Sequence, residues 1–456
     1  MATILMLCHD QHLDRRVVAQ AQSLIRQGHE VQLLALAFDA NGVEETTPEG
    51  IRLRRIGLNA VVPENPTYLG YTRRQVGLNN LLNRLANRWH QRTGLFQRGF
   101  NAASKLNWHL YRVELLARYR NRHLHDPLPF RQAFSGHAPA ERPDAIQVHD
   151  LPALEAGVEL AARWQVPLVY DAHELYPEQR SFSSVQRRLC AQAEARLTPR
   201  ADLVFAVNES IAAEMARRYA IAKPVVLTNA IDPDPSFNPD AHYNLLREKT
   251  GLSGERRILL LQGGFAPHRN LEELVVAMRH VKTTNVDLVM MGFGDFGNRL
   301  REVATRIGLI DRRVLFLPAV PQSELLQHSA SADLGIIPYP HVDLNSYFCT
   351  PNKLFEFIQA GLPILANDSP ELRRYVETQH FGTLAPMRNA REIAHAIDDA
   401  FSHLGTAEWR LNLMRHRGEY TWKQQEIVYL QAMDKLLSTQ KVVDNVGALT
   451  ESGAAE

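Results

Sequence analysis

Short apolar runs recur along the whole chain, each followed by a segment whose apolar residues fall at helical spacing. In the first half they are ATILMLC, EVQLLALAF, IRLRRIGL, AIQVH, PLVYDA, LVFAVN and PVVLTN; in the second, RILLLQGG, VDLVMMG, VLFLPAV, ADLGIIPY and PILAN. A strand buried on both faces has no polar side, so runs of this kind belong to a parallel sheet covered by helices on both sides. Residues 226–255 break the rhythm: DPDPSFNPDAHYN is rich in Pro, Asp and Asn without apolar periodicity and reads as a linker. The expected architecture is α/β, with two Rossmann-like doubly wound domains facing across a cleft. Residues 1–225 form the first, 256–418 the second, and ligands bind beyond the carboxyl ends of the strands. TWKQQEIVYLQAMDKLL predicts an amphipathic helix over 419–438, and 439–456 reads as a disordered polar tail.

Composition excludes other classes. The 456 residues carry 51 Lys+Arg against 50 Asp+Glu, so the chain is not basic throughout, as many nucleic-acid binders are. Cys8, Cys190 and Cys349 have no metal-ligand spacing. The Asp232-Pro-Asp234 triplet lies in the linker rather than at a strand end, and no metal is expected. MATILMLCHD lacks a basic leader and reads as a first strand rather than a signal peptide. No apolar run approaches the ~18 residues of a spanning helix. The expected location is cytoplasmic.

One segment departs from this balance. Between Pro66 and His123 stand eleven Lys/Arg and one acid, Glu114, with Leu78, Leu82, Trp89, Phe96 and Trp108 interleaved. This insert, at about 66–125, reads as a basic amphipathic helical element. Such a face suits anionic lipid headgroups at the inner membrane surface, or packs as a solvated helical pair on the first sheet.

The stretch NSYFCTPNKLFEFIQAGLPI is the most informative for chemistry. Pro351 suits the first helical position, which puts Thr350 at the cap and leaves the amides of Asn352, Lys353 and Leu354 near the helix start. A free helix N-terminus binds anions, and Lys353 adds a positive charge beside it. Glu356 lies one turn further on, where a carboxylate accepts hydrogen bonds from vicinal hydroxyls. Phosphate at the tip and ribose one turn behind make a nucleotide-shaped arrangement. The loop QGGFAPHRN brings Gly263 and Gly264, which permit close backbone approach, and Arg269, which can clamp phosphate oxygens. MGFGDFGNRL holds a GxGxxG at Gly292, Gly294 and Gly297. It follows the second strand of its domain, so it reads as a tight turn beside the nucleotide rather than as a dinucleotide fingerprint.

In the first domain, VHDLPAL places His149 and Asp150 at one strand end, and DAHELYPE places Asp171, His173 and Glu174 at the next. Asp150 also suits a helix cap. His9 and Asp10 follow the first strand as candidate acceptor contacts; Arg15 and Arg16 read equally well as solvated residues.

Taken in order, these segments resemble the two-Rossmann-domain (GT-B) glycosyltransferases, specifically the retaining family 4, and the PNKLFEF form resembles a bacterial polysaccharide and capsule subgroup. The resemblance implies that Glu356 binds the ribose, Arg269 the donor diphosphate, His173 the donor sugar near its reacting carbon, and the backbone at Ala319 and Val320 the base. It also implies that the terminal helix with Trp422 crosses back onto the first domain. Two positions depart from the family pattern: Phe348 stands where a first Glu is expected, and Gly264 where an Arg is expected. The implied function is a retaining, metal-independent transfer of a sugar from a UDP- or GDP-sugar to a hydroxyl of a lipid-linked or polysaccharide acceptor. His173, Glu174, Arg269 and Lys353 are the candidate catalytic residues. The alternatives are a catalytically silent sugar-nucleotide-binding partner in a glycan assembly complex and a sugar-nucleotide epimerase.

Overall fold

The structure is a computed structural model that describes residues 1–37, 42–57, 106, 130–180, 182, 184–405 and 408–452. The basic insert at 66–125 lies outside the described residues except for Leu106. The chain divides into two compact units, the first Met1–Val204, Arg218–Ile221 and Met433–Glu456, the second Phe205–Arg217 and Ala222–Ala432.

The first sheet has eight strands: β1 (Thr3–Cys8), β2 (Glu30–Leu36), β3 (Val43–Thr46), β4 (Arg52–Ile56), β5 (Ala145–His149), β6 (Leu168–Ala172), β7 (Leu203–Ala206) and β8 (Val225–Val226). Their order is β3-β4-β2-β1-β5-β6-β7-β8. β1 pairs in parallel with β2 and β5, and β5 with β6. Every residue of β5 and β6 is buried, as central strands covered on both faces require, and Gln147, His149 and Asp171 are buried polar exceptions to their apolar character. β3 was not expected. It runs antiparallel to β4 at the edge, and all four of its residues are exposed.

The second sheet comprises β9 (Arg257–Gly264), β10 (Val286–Phe293), β11 (Val314–Pro318), β12 (Leu334–Ile337), β13 (Ile364–Asn367) and β14 (Gly382–Ala385). The order β11-β10-β9-β12-β13-β14, parallel throughout, reverses direction between β9 and β12. A crevice opens at such a reversal, just past the carboxyl ends of the two strands. Two apolar layers hold this sheet. Leu259, Leu288, Met290 and Ile397 belong to one, and Leu260, Val289, Phe355 and Phe357 to the other.

Three readings change in detail. The segment read as a linker carries the helix Leu245–Thr250, and its Phe237 and Leu246 are buried in the second unit's core. The helix at the nucleotide stretch spans Asn352–Ala360 with Pro351 as its cap residue, not its first residue. Pro351 has ψ 146, an extended value that ends the preceding chain rather than starting the helix. The terminal helix runs Trp422–Ser452, beyond residue 438, because no glycine or proline interrupts it before Gly447.

Candidate functional site

In the second unit the register aligns the carboxyl ends of three strands, with Gly263 opposite Gly292 and Gly292 opposite Pro318. The backbones touch so closely that a Cβ on Gly292 would lie 1.9 Å from the Gly263 carbonyl oxygen. Gly294 has φ 115, and Gly297 faces the Phe265 ring. The GxGxxG glycines therefore serve the packing of β10 against the loop after β9. Ala319 is exposed and Val320 half-buried just past β11.

The cations gather at the reversal between β9 and β12. Tyr339 follows β12; the Lys353 Nζ lies 4.9 Å from its ring centroid and the Arg269 guanidinium carbon 5.2 Å. Arg269 donates to the Gly264 carbonyl at 3.2 Å, and the Lys353 stem passes 3.9 Å from where a Cβ of Gly263 would stand. Lys353 is only 6% exposed. Among the described residues neither cation pairs with a carboxylate. Two positive charges share one ring without a counter-ion, beside a helix start whose first amides have no carbonyl one turn back. Such an arrangement of positive charge is one that an anion can neutralise.

One turn into that helix, Glu356 is buried and accepts from Gln262 Nε2 at 2.7 Å. Thr350, buried before the cap, accepts from Asn208 Nδ2 at 3.3 Å. Asn352 Oδ1 accepts from Asn229 Nδ2 at 3.1 Å. Leu354 does not point a side chain at any ligand: it is fully buried in the core, and its amide donates to the Pro351 carbonyl at 2.8 Å, so the free amides of this helix start are those before it. Burial pushes the Cys349 thiol up to about 12, which favours its protonated form.

The first unit holds a second polar cluster at the carboxyl ends of β5 and β6. Asp171, fully buried, accepts from Arg16 Nε at 3.0 Å and Gln20 Nε2 at 2.7 Å. Arg16 is thus not solvated; it is 2% exposed. His149 Nδ1 and His173 Nε2 each lie 3.3 Å from Asp171 Oδ2. Asp150 makes no cap bond to the helix Leu151–Trp164. At φ 61 its carboxylate turns to accept from the His173 amide at 2.9 Å. Burial pulls the His173 ring down, but the Asp150 and Asp171 carboxylates outweigh it and raise it to about 9. Burial lowers His149, which stays neutral. Glu174 accepts from Gln179 Nε2 at 2.7 Å and is raised by burial, then by Asp150, to about 8. His9 lies 3.6 Å from Asp10, and its ring packs 6.1 Å from those of Phe130 and Tyr176.

Ligand atoms of His149, Asp171 and His173 lie within 4.8 Å of one another. They do not fit a cation, because the guanidinium of Arg16 already occupies both oxygens of Asp171. A cavity of about 420 Å³ beside β2–β4 contains none of the candidate residues. Its walls are charge-matched, with Arg54 3.0 Å from Glu44.

Tyr339, Gln262, Ser329 and Arg16 were not identified as site residues from the sequence. Only Arg16 carried a signal, as a charge in the first turn of an amphipathic helix, on the buried side that also carries Gln20 and Ser23.

Residues 13–230 match the glycosyl transferase 4-like domain, and residues 256–403 the glycosyl transferases group 1 domain. An uncharacterized glycosyltransferase of Methanocaldococcus jannaschii is 24% identical over 307 residues, 64% of this chain and 76% of that protein. The D-inositol 3-phosphate glycosyltransferase of Geodermatophilus obscurus is 23% identical, over 61% of this chain and 64% of its own length. Among solved structures, the sucrose-phosphate synthase of Thermosynechococcus elongatus is similar at TM-score 0.67 and 16% identity, over 96% of this chain and all of that one. Anabaena HepE in complex with UDP-glucose is similar at TM-score 0.61 and 16% identity, with the same coverage.

Proposed function

The chain belongs to the GT-B glycosyltransferases of family 4 type, and from that premise we propose a retaining, metal-independent enzyme that uses a UDP- or GDP-sugar. The observation that carries the donor reading is the pair Arg269 and Lys353, crowded on Tyr339 without a carboxylate partner among the described residues. As the glycosidic bond breaks, the nucleoside diphosphate gains negative charge. Two fixed cations and the first amides of the helix at Asn352 stabilise that charge without a metal. Glu356 holds the ribose, and the backbone at Ala319 and Val320 reads the base. His173, kept protonated by its two carboxylates, is the residue that binds and orients the donor sugar in this reading, with the half-buried Glu174 beside it. His9, Asp10, His149 and Asp150 belong to the acceptor side. The acceptor is a lipid-linked or polysaccharide hydroxyl of a bacterial cell-surface glycan. The protein works in the cytoplasm, where its basic insert holds it at the inner membrane face. No helix among the described residues is long and apolar enough to cross a membrane.

Nucleoside diphosphate release from UDP- and GDP-sugars tests this. Arg269→Ala should lower turnover about a hundredfold with the fold intact, a loss typical of removing one charge-stabilising donor. An unchanged rate removes Arg269 from the mechanism. Activity that vanishes with chelator and returns with Mg²⁺ or Mn²⁺ overturns the metal-independent part, and an inverted anomer in the product overturns retention.

A further inference from the structure

A buried chain of three polar side chains runs from β9 to the helix at Asn352. Ser329, on the helix Gln322–Ala330, lies with its Oγ 2.7 Å from Gln262 Oε1, and Gln262 Nε2 donates to Glu356 Oε2 at 2.7 Å. Gln262 is 1% exposed and Ser329 fully buried. The carboxylate only accepts, so the Gln262 amide has one admissible orientation: nitrogen toward Glu356, oxygen toward Ser329. The single Ser329 hydroxyl proton is shared between two acceptors, Gln262 Oε1 and the Leu325 carbonyl at 2.8 Å, and its share to Gln262 favours that orientation. Three elements, β9 and two helices, thereby fix one oxygen of Glu356. A helical glutamate otherwise has several rotamers and loses that freedom on binding a ligand.

We propose that Gln262 and Ser329 are positioning residues that hold the Glu356 carboxylate ready to accept from the ribose hydroxyls, and so make the protein discriminate ribonucleoside from 2′-deoxyribonucleoside diphosphates. The proposal rests on the reading that Glu356 binds the ribose. A hydrogen bond to a charged acceptor is among the strong ones, and its value depends on that acceptor being held in place.

The test is calorimetric titration of the purified full chain with UDP, GDP and their 2′-deoxy forms. Wild type is expected to bind the preferred ribonucleotide about tenfold or more tightly than its 2′-deoxy form, as loss of a charge-assisted hydrogen bond implies. Gln262→Met keeps the side-chain volume and deletes the amide. It should weaken the ribonucleotide and leave the 2′-deoxy form nearly unchanged, so that the ratio falls toward one. Ser329→Ala, a smaller change, should lower the ratio part-way and keeps the proposal testable if Gln262→Met fails to fold. Glu356→Gln separates the two ideas. If Glu356→Gln loses discrimination while both Gln262→Met and Ser329→Ala keep it, positioning is overturned and the ribose reading stands. If Glu356→Gln keeps it, or wild type binds neither nucleotide, the ribose reading falls and the inference falls with it. A merely structural Gln262 would weaken both nucleotides equally, which also overturns the proposal.

Discussion

Two cations share one aromatic ring in the second unit, and that arrangement decides what substitution at Tyr339 does. Arg269 and Lys353 repel each other, and the ring face attracts both. Tyr339→Leu removes that attraction and lets both side chains drift toward solvent. The expected result is donor or UDP affinity lower by about five- to twentyfold, the range of a partly desolvated cation–π contact. Tyr339→Phe keeps the ring and loses only a 3.4 Å contact to Arg269, so it should stay near wild type. Calorimetric titration of the two variants checks this; equal losses would assign the role to the hydroxyl instead. Arg269, Lys353 and Glu356 were legible in the sequence because their chemistry is local: a loop after a strand, a helix start, and one turn further. Tyr339 and Gln262 were not: both lie in segments that were read as strand ends, but the partners that give them a role are distant in the chain. Gln262 meets Glu356 across 94 residues, and only the fold makes that pair.

At the scale of elements, the helix Ser184–Leu197 carries an acid into the interior of the first unit. Glu194 is fully buried and accepts from Tyr170 of β6 at 2.7 Å and from Tyr219. Burial raises it from 4.5 to about 7, against the pull of the two tyrosine hydroxyls. A carboxyl whose native pKa lies above its unfolded value binds its proton more tightly when folded. The resulting stability is complete below about pH 4.5 and is lost as pH rises to about 7, at most roughly 3 kcal/mol. Glu174, raised to about 8, and His173, raised to about 9, act in the same direction; Asp171, held low, acts only in the acid range. Glu194→Gln keeps one tyrosine donating to its oxygen, turns the other contact round so that the amide NH2 donates to the second tyrosine oxygen, and removes the titration. Its melting temperature should therefore fall less between pH 5 and pH 8 than that of wild type, and parallel slopes would show that Glu194 does not titrate in this window. The elements themselves were legible where burial is two-sided, as in β5 and β6, whose short sequences are mostly apolar and wholly buried. β3, with four exposed residues, and the short helix Leu245–Thr250 were not. Neighbouring strands and core contacts impose their conformation, and no periodicity of their own does.

For the whole molecule, a net charge of +1 conceals a separation of charge. Eleven of the 51 basic residues, and one of the 50 acidic ones, stand between residues 66 and 123, so the rest of the chain is net acidic. An evenly neutral protein has no reason to approach a charged surface. A local basic segment does, because the attraction acts within a Debye length of about 8 Å and does not average over distant acids. Each basic residue brought to an anionic surface contributes about 1 kcal/mol, so even a few in contact exceed what a transient encounter needs. In the proposed membrane contact, the interleaved Leu, Trp and Phe residues would add apolar area at the headgroup level. The protein should therefore co-float with vesicles containing phosphatidylglycerol and not with pure phosphatidylcholine, and high salt should release it. Reversing Arg84, Arg88 and Arg92 to Glu should abolish flotation while leaving UDP binding unchanged, because the donor reading rests on Arg269, Lys353 and Glu356. Equal flotation on both kinds of vesicle, or none on either, would take the membrane out of the proposal and leave a soluble glycan as the acceptor.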